Sequence, residues 1–448
     1  MQNSTLNRRD FLRRAGMIGV GVAGVGVLAA CAMPTAPQSD SAGEPTAATA
    51  EIVYLDVDET GGGDAAFKVY TDEVIPAFME TNPNVKVTFQ PGVGEWSTAL
   101  LAGMAAGTAP DIFVSWGGFG RKMMEDGQML PLQDYFQADD RDDFLEEQLI
   151  AMWMDSNLFA LPKYISSMAL AYNKDLLDQA GVAYPDDSWT WDTFLEAMDK
   201  TATLESSELG KLFGYNVNLS YSHQWIWQAG GEWMNERYEG TKILIDEPDP
   251  MQALKFLHNL IYEYQYAPTA AEIEGMRWPQ AFASGRFAFV EGHSWQLSEW
   301  LRSLTFNWDY ALLPKGPVAR AGAVANDQYS AYANTKYPDA TLAFMRHITS
   351  TENELHMMHS IHGWQPSRKS AYSAWDTESA GAKAGKNVAA FSKILEFSRQ
   401  QPYFVHDDEV RAIFDPLWEQ IWVTGDLSLE EGVTQIATRV NEFLATAA

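Results

Sequence analysis

The sequence is nearly without cysteine. Cys31 is the one cysteine in 448 residues, so no disulfide can form within the chain and no Cys-x-x-Cys redox pair exists. Basic residues are scarce as well, 31 Lys and Arg against 60 Asp and Glu, a formal net charge of −29. Affinity for a phosphate backbone comes from clustered cations that release counterions, and none follows residue 14, which argues against nucleic acid as a partner. The same shortage argues against docking to anionic lipid through a basic patch. No Gly-x-Gly-x-x-Gly follows a strand pattern, and His356, His359 and His362 lack the i, i+4 pair of a zinc protease, so neither cofactor nor metal is expected. What is present is ordinary globular material: 46% apolar residues with 33 Gly and 20 Pro, enough for a substantial core.

The N-terminus reads as an address. Arg8-Arg9-Asp10-Phe11-Leu12 precedes a Gly-rich apolar stretch from Ala15 to Ala30, shorter than the roughly 20 apolar residues a bilayer span takes. It resembles a twin-arginine export signal, and Leu28-Ala29-Ala30-Cys31 resembles a bacterial lipoprotein cleavage box. Residues 1–30 are therefore expected to be a signal peptide and Cys31 to carry a lipid anchor, with a flexible Pro, Ala, Thr and Ser tether filling out residues 31–50.

From residue 51 onward the hydrophobic period alternates. Ile52-Val53-Tyr54-Leu55 predicts a strand, Phe67, Tyr70, Val74 and Phe78 a helix, Val85, Val87 and Phe89 a second strand, Leu100, Leu101 and Met104 a helix, and Ile112-Phe113-Val114 a third strand. Such alternation predicts an α/β fold with a mixed, mostly parallel sheet and a ligand crevice beyond the carboxyl ends of its strands. Farther on, Thr190 is placed to cap a helix beginning at Trp191, Phe287–Val290 and Tyr310–Leu313 read as strands, and Val410 to Leu444 reads as mostly helical.

In chain order stand Gly107-Thr108-Ala109-Pro110-Asp111, Tyr172-Asn173-Lys174, Thr190-Trp191, Phe282-Ala283-Ser284-Gly285-Arg286-Phe287-Ala288, Leu313-Pro314 and Pro366-Ser367-Arg368-Lys369-Ser370-Ala371. Together these segments resemble the family 1 extracellular solute-binding proteins, maltose-binding-protein-like receptors of ABC sugar importers. The resemblance implies a two-lobed periplasmic-binding-protein fold of type II-like form. One lobe would hold residues 51–164 plus 318–371 and the other 165–317 plus 372–448, joined by a hinge. It also implies a monomeric, extracytoplasmic, non-enzymatic receptor that hands a carbohydrate to permease subunits in the membrane.

A neutral sugar offers no charge to grip, so its receptor combines flat aromatic faces with carboxylates, amides and hydroxyls. Trp116 directly follows the third strand, and Trp295 follows Gly292-His293-Ser294 at a second strand end and matches a family position that stacks on sugar. Tyr221, His223 and Trp225, with Trp227, precede Gly230-Gly231 in a region that faces the cleft in the family; on a helix Trp225 and Trp227 point nearly opposite ways, which puts one in the core. Tyr164 and Ser166 occupy a segment where relatives place polar contacts, and Glu95, Trp96, Trp364 and Tyr403 complete the expected ligand-binding set. Asp111 is expected to be structural. The alternatives are a secreted glycoside hydrolase, which needs a carboxyl pair about 5 to 9.5 Å apart, and a polyol-phosphate receptor, for which Lys163 and Arg121 are the available cations.

Overall fold

The computed structural model describes residues 49–136, 141–236, 239–273, 276, 278–404 and 406–447. The twin-arginine segment, the lipoprotein box with Cys31 and nearly all of the tether lie outside the described residues. Among the described residues no helix is long and apolar enough to cross a membrane.

The first three strands follow the alternating pattern. They are β1 (Ala50–Val57), β2 (Val85–Gly92) and β3 (Ile112–Trp116), with β1 parallel to both of the others. Between β1 and β2 lie α1 (Asp64–Lys68), a π-helical turn and α2 (Ile75–Thr81), while α3 (Trp96–Ala106) joins β2 to β3. Gly107 ends α3 in the left-handed conformation, φ 70°, the geometry that favours glycine at a helix C-terminus. After β3 the chain turns at once into α4 (Gly117–Glu125).

A single strand then carries the sheet onward. All 14 residues of β4 (Ala160–Asn173) are buried, so it is covered on both faces. The remaining strands of this sheet are β5 (Phe213–Asn216), β6 (Phe287–His293), β7 (Trp308–Ala311), β8 (Gly322–Ala331) and β9 (Ser398–Gln400). The nine strands order as β2-β1-β3-β8-β4-β6-β5, with β7 also paired to β4 and β9 to β8. Ala160 to Ser167 of β4 pair antiparallel with β8, and Met168 to Tyr172 pair antiparallel with β6. The pairings are parallel at β1/β2, β1/β3, β6/β5 and β8/β9 and antiparallel where β4 or β8 meets its other neighbours, a mixed sheet of the kind the sequence predicts.

Two large apolar cores take the two ends of β4. Tyr54, Phe78, Ile112, Leu161, Tyr164, Phe344 and Trp364 share one; Leu170, Tyr172, Phe194, Leu257, Phe289 and Val440 share the other. Helix α5 (Trp191–Ala202) starts where Thr190 accepts the Thr193 amide, as its capping pattern predicts. It packs in the second core with α6 (Ser222–Gln228), α7 (Pro248–Tyr262) and the C-terminal pair α8 (Asp407–Glu419) and α9 (Leu429–Ala447). Asp111 is structural: its carboxylate accepts Val53 N at 2.8 Å and Thr335 Oγ1 at 2.6 Å, tying the start of β3 to its neighbours.

Candidate ligand-binding cleft

The carboxyl ends of β1 and β3, the middle of β4 and the segment after β6 open onto a cavity of about 570 Å³. Five of its wall residues are aromatic: Trp116, Tyr164, Tyr221, Trp295 and Tyr403. Trp116 ends β3 and is 37% exposed, its indole backed by Trp96 with ring centroids 5.3 Å apart. The turn beneath it depends on Gly117, whose φ is 50°; a Cβ there would lie 2.8 Å from the Tyr403 hydroxyl, so only glycine lets that ring approach. Trp295 sits on the short turn after β6, half-buried, beside the His293 ring at 5.8 Å. Tyr164 and Ser166 project from the same side of β4, as i and i+2 on a strand must, and the Ser166 hydroxyl lies 3.0 Å from His293 Nδ1.

The polar walls are acidic. Asp58, Glu59, Glu299 and Asp327 line the cavity with Gln401, and among its described lining residues there is neither lysine nor arginine. One cation lies just behind. The register of β4 on β8 slips between Asp327 and Gln328, leaving Lys163 as the extra residue of a bulge. Its Nζ reaches Asp56 Oδ1 at 2.5 Å and Glu59 Oε2 at 3.0 Å and lies 4.4 Å from the Trp364 ring centroid. Burial alone would pull the Lys163 pKa down, but the charges of Asp56 and Glu59 outweigh it and raise it. Burial pushes Glu59 up to about 8 against the pull of Lys163, and pushes Asp327 up to about 6.

The remaining expected residues fall elsewhere. Trp364 is 2% exposed and stacks behind Tyr164, centroids 5.0 Å apart, so it supports the wall from the core. Trp225 is 1% exposed, packed among Trp191, Phe194 and Phe256, with its Nε1 donating to Glu291 Oε1 at 2.9 Å; α6 turns it inward, away from the cavity. Trp227, on the other side of α6, is also buried, against His223. His223 lines a neighbouring cavity. Glu95 is exposed at the N-cap of α3, and Trp96 backs Trp116 without appearing in the wall. Arg121 is held by Glu125 and Glu239, and Lys163 by its two carboxylates, so neither nominated cation faces a guest.

Sequence reasoning did not select Asp58, Glu59, Glu299, Asp327 or Gln401. The run Asp56-Val57-Asp58-Glu59 at a strand exit held the signal for two of them. Asp327 sits in no local pattern and reaches the site only because β8 lies between β3 and β4. Of the three histidines, His356 meets Glu73 at 3.2 Å, His359 meets Glu378 at 3.5 Å, and His362 Nε2 lies 3.1 Å from Ala66 O.

Known proteins share this architecture. A family model described as bacterial extracellular solute-binding protein matches residues 62–355. A binding protein of Brucella abortus (strain 2308) is 25% identical over 275 residues, 60% of this chain and 65% of the relative. An arabinooligosaccharide-binding protein of Halalkalibacterium halodurans is 26% identical over 171 residues, 38% of this chain and 36% of the relative. Each match thus spans less than two thirds of the relative's length. A solved ABC substrate-binding protein of Listeria monocytogenes, in complex with cycloalternan, superposes with a TM-score of 0.75 at 21% identity, covering 89% of this chain and 99% of that one. At that identity the likeness is one of fold, the two-lobed α/β arrangement that the sequence predicts. By the extent of the family match, the chain belongs to the bacterial extracellular solute-binding proteins.

Proposed function

We propose that this chain is the substrate-binding component of an ABC importer, capturing a sugar or oligosaccharide between two lobes and delivering it unchanged to a membrane permease. One observation carries the reading: Trp116, Trp295, Tyr164, Tyr221 and Tyr403 converge on a single cavity whose polar walls are the four carboxylates, Ser166, Gln280 and Gln401. Aromatic faces take the C–H surfaces of a pyranose, and carboxylates and the amide take its hydroxyls. The names of the Halalkalibacterium and Listeria proteins, which record an arabinooligosaccharide and cycloalternan, support a carbohydrate guest. A polyol phosphate is disfavoured, since such a ligand wants a cation and the lining supplies acids. A glycoside hydrolase gains nothing from carboxylates alone, because an acidic chain always offers a pair.

The lobes of the proposal are residues 51–164 with 318–371 and 165–317 with 372–448. The fully buried members of the two largest cores support this division, one set of them falling within the first group of residues and the other within the second, while Trp295 of the second packs partly buried against the first core. The chain acts as a monomer outside the cytoplasm, exported through its twin-arginine segment and held to the membrane by lipid on Cys31. Calorimetry across neutral mono- and oligosaccharides is expected to give one-to-one binding without product, and Trp295→Ala to weaken it at least about tenfold, the loss of an aromatic anchor. No heat across the panel, or a released hydrolysis product, overturns the reading.

A further inference from the structure

Strand register places an acid between two aromatic rings. Asp327 of β8 lies directly across from Trp116 of β3 on one side and from Tyr164 of β4 on the other, and all three line the cleft cavity. Residues opposite one another on neighbouring strands stand about 5 Å apart at Cβ, so an indole and a phenol flank the Asp327 carboxylate. The Tyr164 hydroxyl donates to it. The other acids of the wall come from separate elements: Asp58 and Glu59 follow β1, and Glu299 belongs to the short helix Leu297–Ser303 after β6.

Countercharge is short around these acids. Lys163 is engaged by Asp56 and Glu59, and Arg302 donates to Thr60 O at 2.7 Å. Among the described residues no ion pair reaches Asp58, Glu299 or Asp327; the charges of Lys163 and Arg302 act on Asp327 and Glu299 from farther off. Asp58 accepts uncharged donors, the amides of Thr60, Gly62 and Gly63 and the Thr60 hydroxyl. Burial raises Asp327 to about 6, which leaves it ionised at pH 7. A guest that fills the cavity takes water from these carboxylates. A neutral guest supplies hydroxyls in its place but leaves the charges unpaired, and an anionic guest adds to them, whereas an unpaired charge withdrawn from water is costly. An ammonium group supplies what is missing. The aromatic faces that take the C–H surface of a sugar attract a cation as well, and a molecule of net charge −29 draws cations toward it.

We infer that the guest of this cleft is an amino sugar, a saccharide bearing a protonated amine, whose ammonium is received by the acidic wall at Asp327, Asp58 and Glu299 while its ring lies on Trp116 and Trp295. The inference rests on the sugar-receptor reading of the same cavity and narrows its substrate class. It makes Asp327 the residue that sets specificity, since the strand register alone puts its charge beside the rings.

The test is calorimetry of the full chain at pH 7 and constant ionic strength with matched sets: glucose, glucosamine and N-acetylglucosamine; galactose, galactosamine and N-acetylgalactosamine; cellobiose, the chitosan disaccharide and its di-N-acetyl form. In the sets that bind, the amine is expected to bind at least about tenfold more tightly than its hydroxyl parent, the gain of one charge-assisted hydrogen bond. The N-acetyl form carries the same nitrogen without the charge and is expected to bind at least about tenfold more weakly than the amine. Asp327→Asn keeps the side chain's shape and an acceptor for Tyr164 but removes the charge, and is expected to bring the amine-to-parent ratio below about threefold. Glu299→Gln, outside the sheet, is expected to lower the ratio about threefold and tests the same charge should Asp327→Asn fail to fold. Parents or N-acetyl forms that bind as tightly as the amines overturn the inference and leave the receptor reading standing. So does a ratio that neither variant moves. Failure of every sugar to bind removes both.

Discussion

Lys163 governs the charge of the cleft. Its side chain is fully buried and faces two carboxylates, of which Asp56 is also fully buried and Glu59 retains 15% exposure. Removing one partner of a buried ion group strands the others, which costs more than the group contributes when intact. Lys163→Met is therefore expected to destabilise the protein by about 3 kcal/mol, read as a lower midpoint in urea. An unchanged midpoint would mean that the Lys163 charge does not support the fold. At this scale the sequence was partly legible. Trp116 and Trp295 could be placed at the cavity because each follows a strand end, where topology puts the crevice. Trp225 could not be separated from them by residue type, because a buried indole with a hydrogen-bond partner and a ligand-facing one look alike in one dimension.

At the scale of elements, the site depends on how abruptly β3 becomes α4. Extended backbone at Trp116 gives way to left-handed backbone at Gly117 and then to helix, which aims the indole across the cavity while letting Tyr403 close the gap. Gly117→Ala must hold an L-residue at φ 50°, a cost of about 1–2 kcal/mol, and its methyl displaces the Tyr403 hydroxyl. Both a lower melting temperature and weaker saccharide binding are expected; retention of wild-type affinity would show that Tyr403 is not a ligand contact. The β-α-β-α-β run from residue 50 to 116 was legible because each element carries its own period. The length of β4 was not. Lys163, Ser166 and Ser167 interrupt its apolar run, and they stay buried only because the chain pairs with β8 on one side and finds long-range partners such as His293 and Gln365. The bulge that delivers Lys163 is likewise a property of two strands, not of one.

For the whole molecule, buried acids set how stability responds to pH. Burial raises Glu59 to about 8, and Glu291 and Glu354 to about 7, the last two against partial relief from Tyr215 and from Ser367. Burial lowers His223 and His293 to about 3 and His362 to about 4. The two groups act in opposite directions. Between about pH 4 and 6.5 the unfolded histidines bind protons that the folded ones refuse, so stability gains with rising pH, while the carboxylates work against that gain. Above pH 6.5 the unfolded histidines lose their remaining protons and by about pH 7.5 drop out, leaving a contribution smaller than that of the carboxylates. Glu59, Glu291 and Glu354 still hold protons when folded and have lost them when unfolded, so the native state binds more protons and stability falls as pH rises. A chain of net charge −29 adds self-repulsion that salt screens, so the measurement belongs at constant ionic strength. Scanning calorimetry is expected to show the melting temperature declining from pH 6.5 to 8 and levelling beyond. Glu59→Gln should flatten the upper part of that decline, since the amide has no proton to lose. A melting temperature that stays level across this interval would mean that Glu59, Glu291 and Glu354 have already lost their protons in the folded protein, so that neither state binds more protons than the other and burial has not raised them.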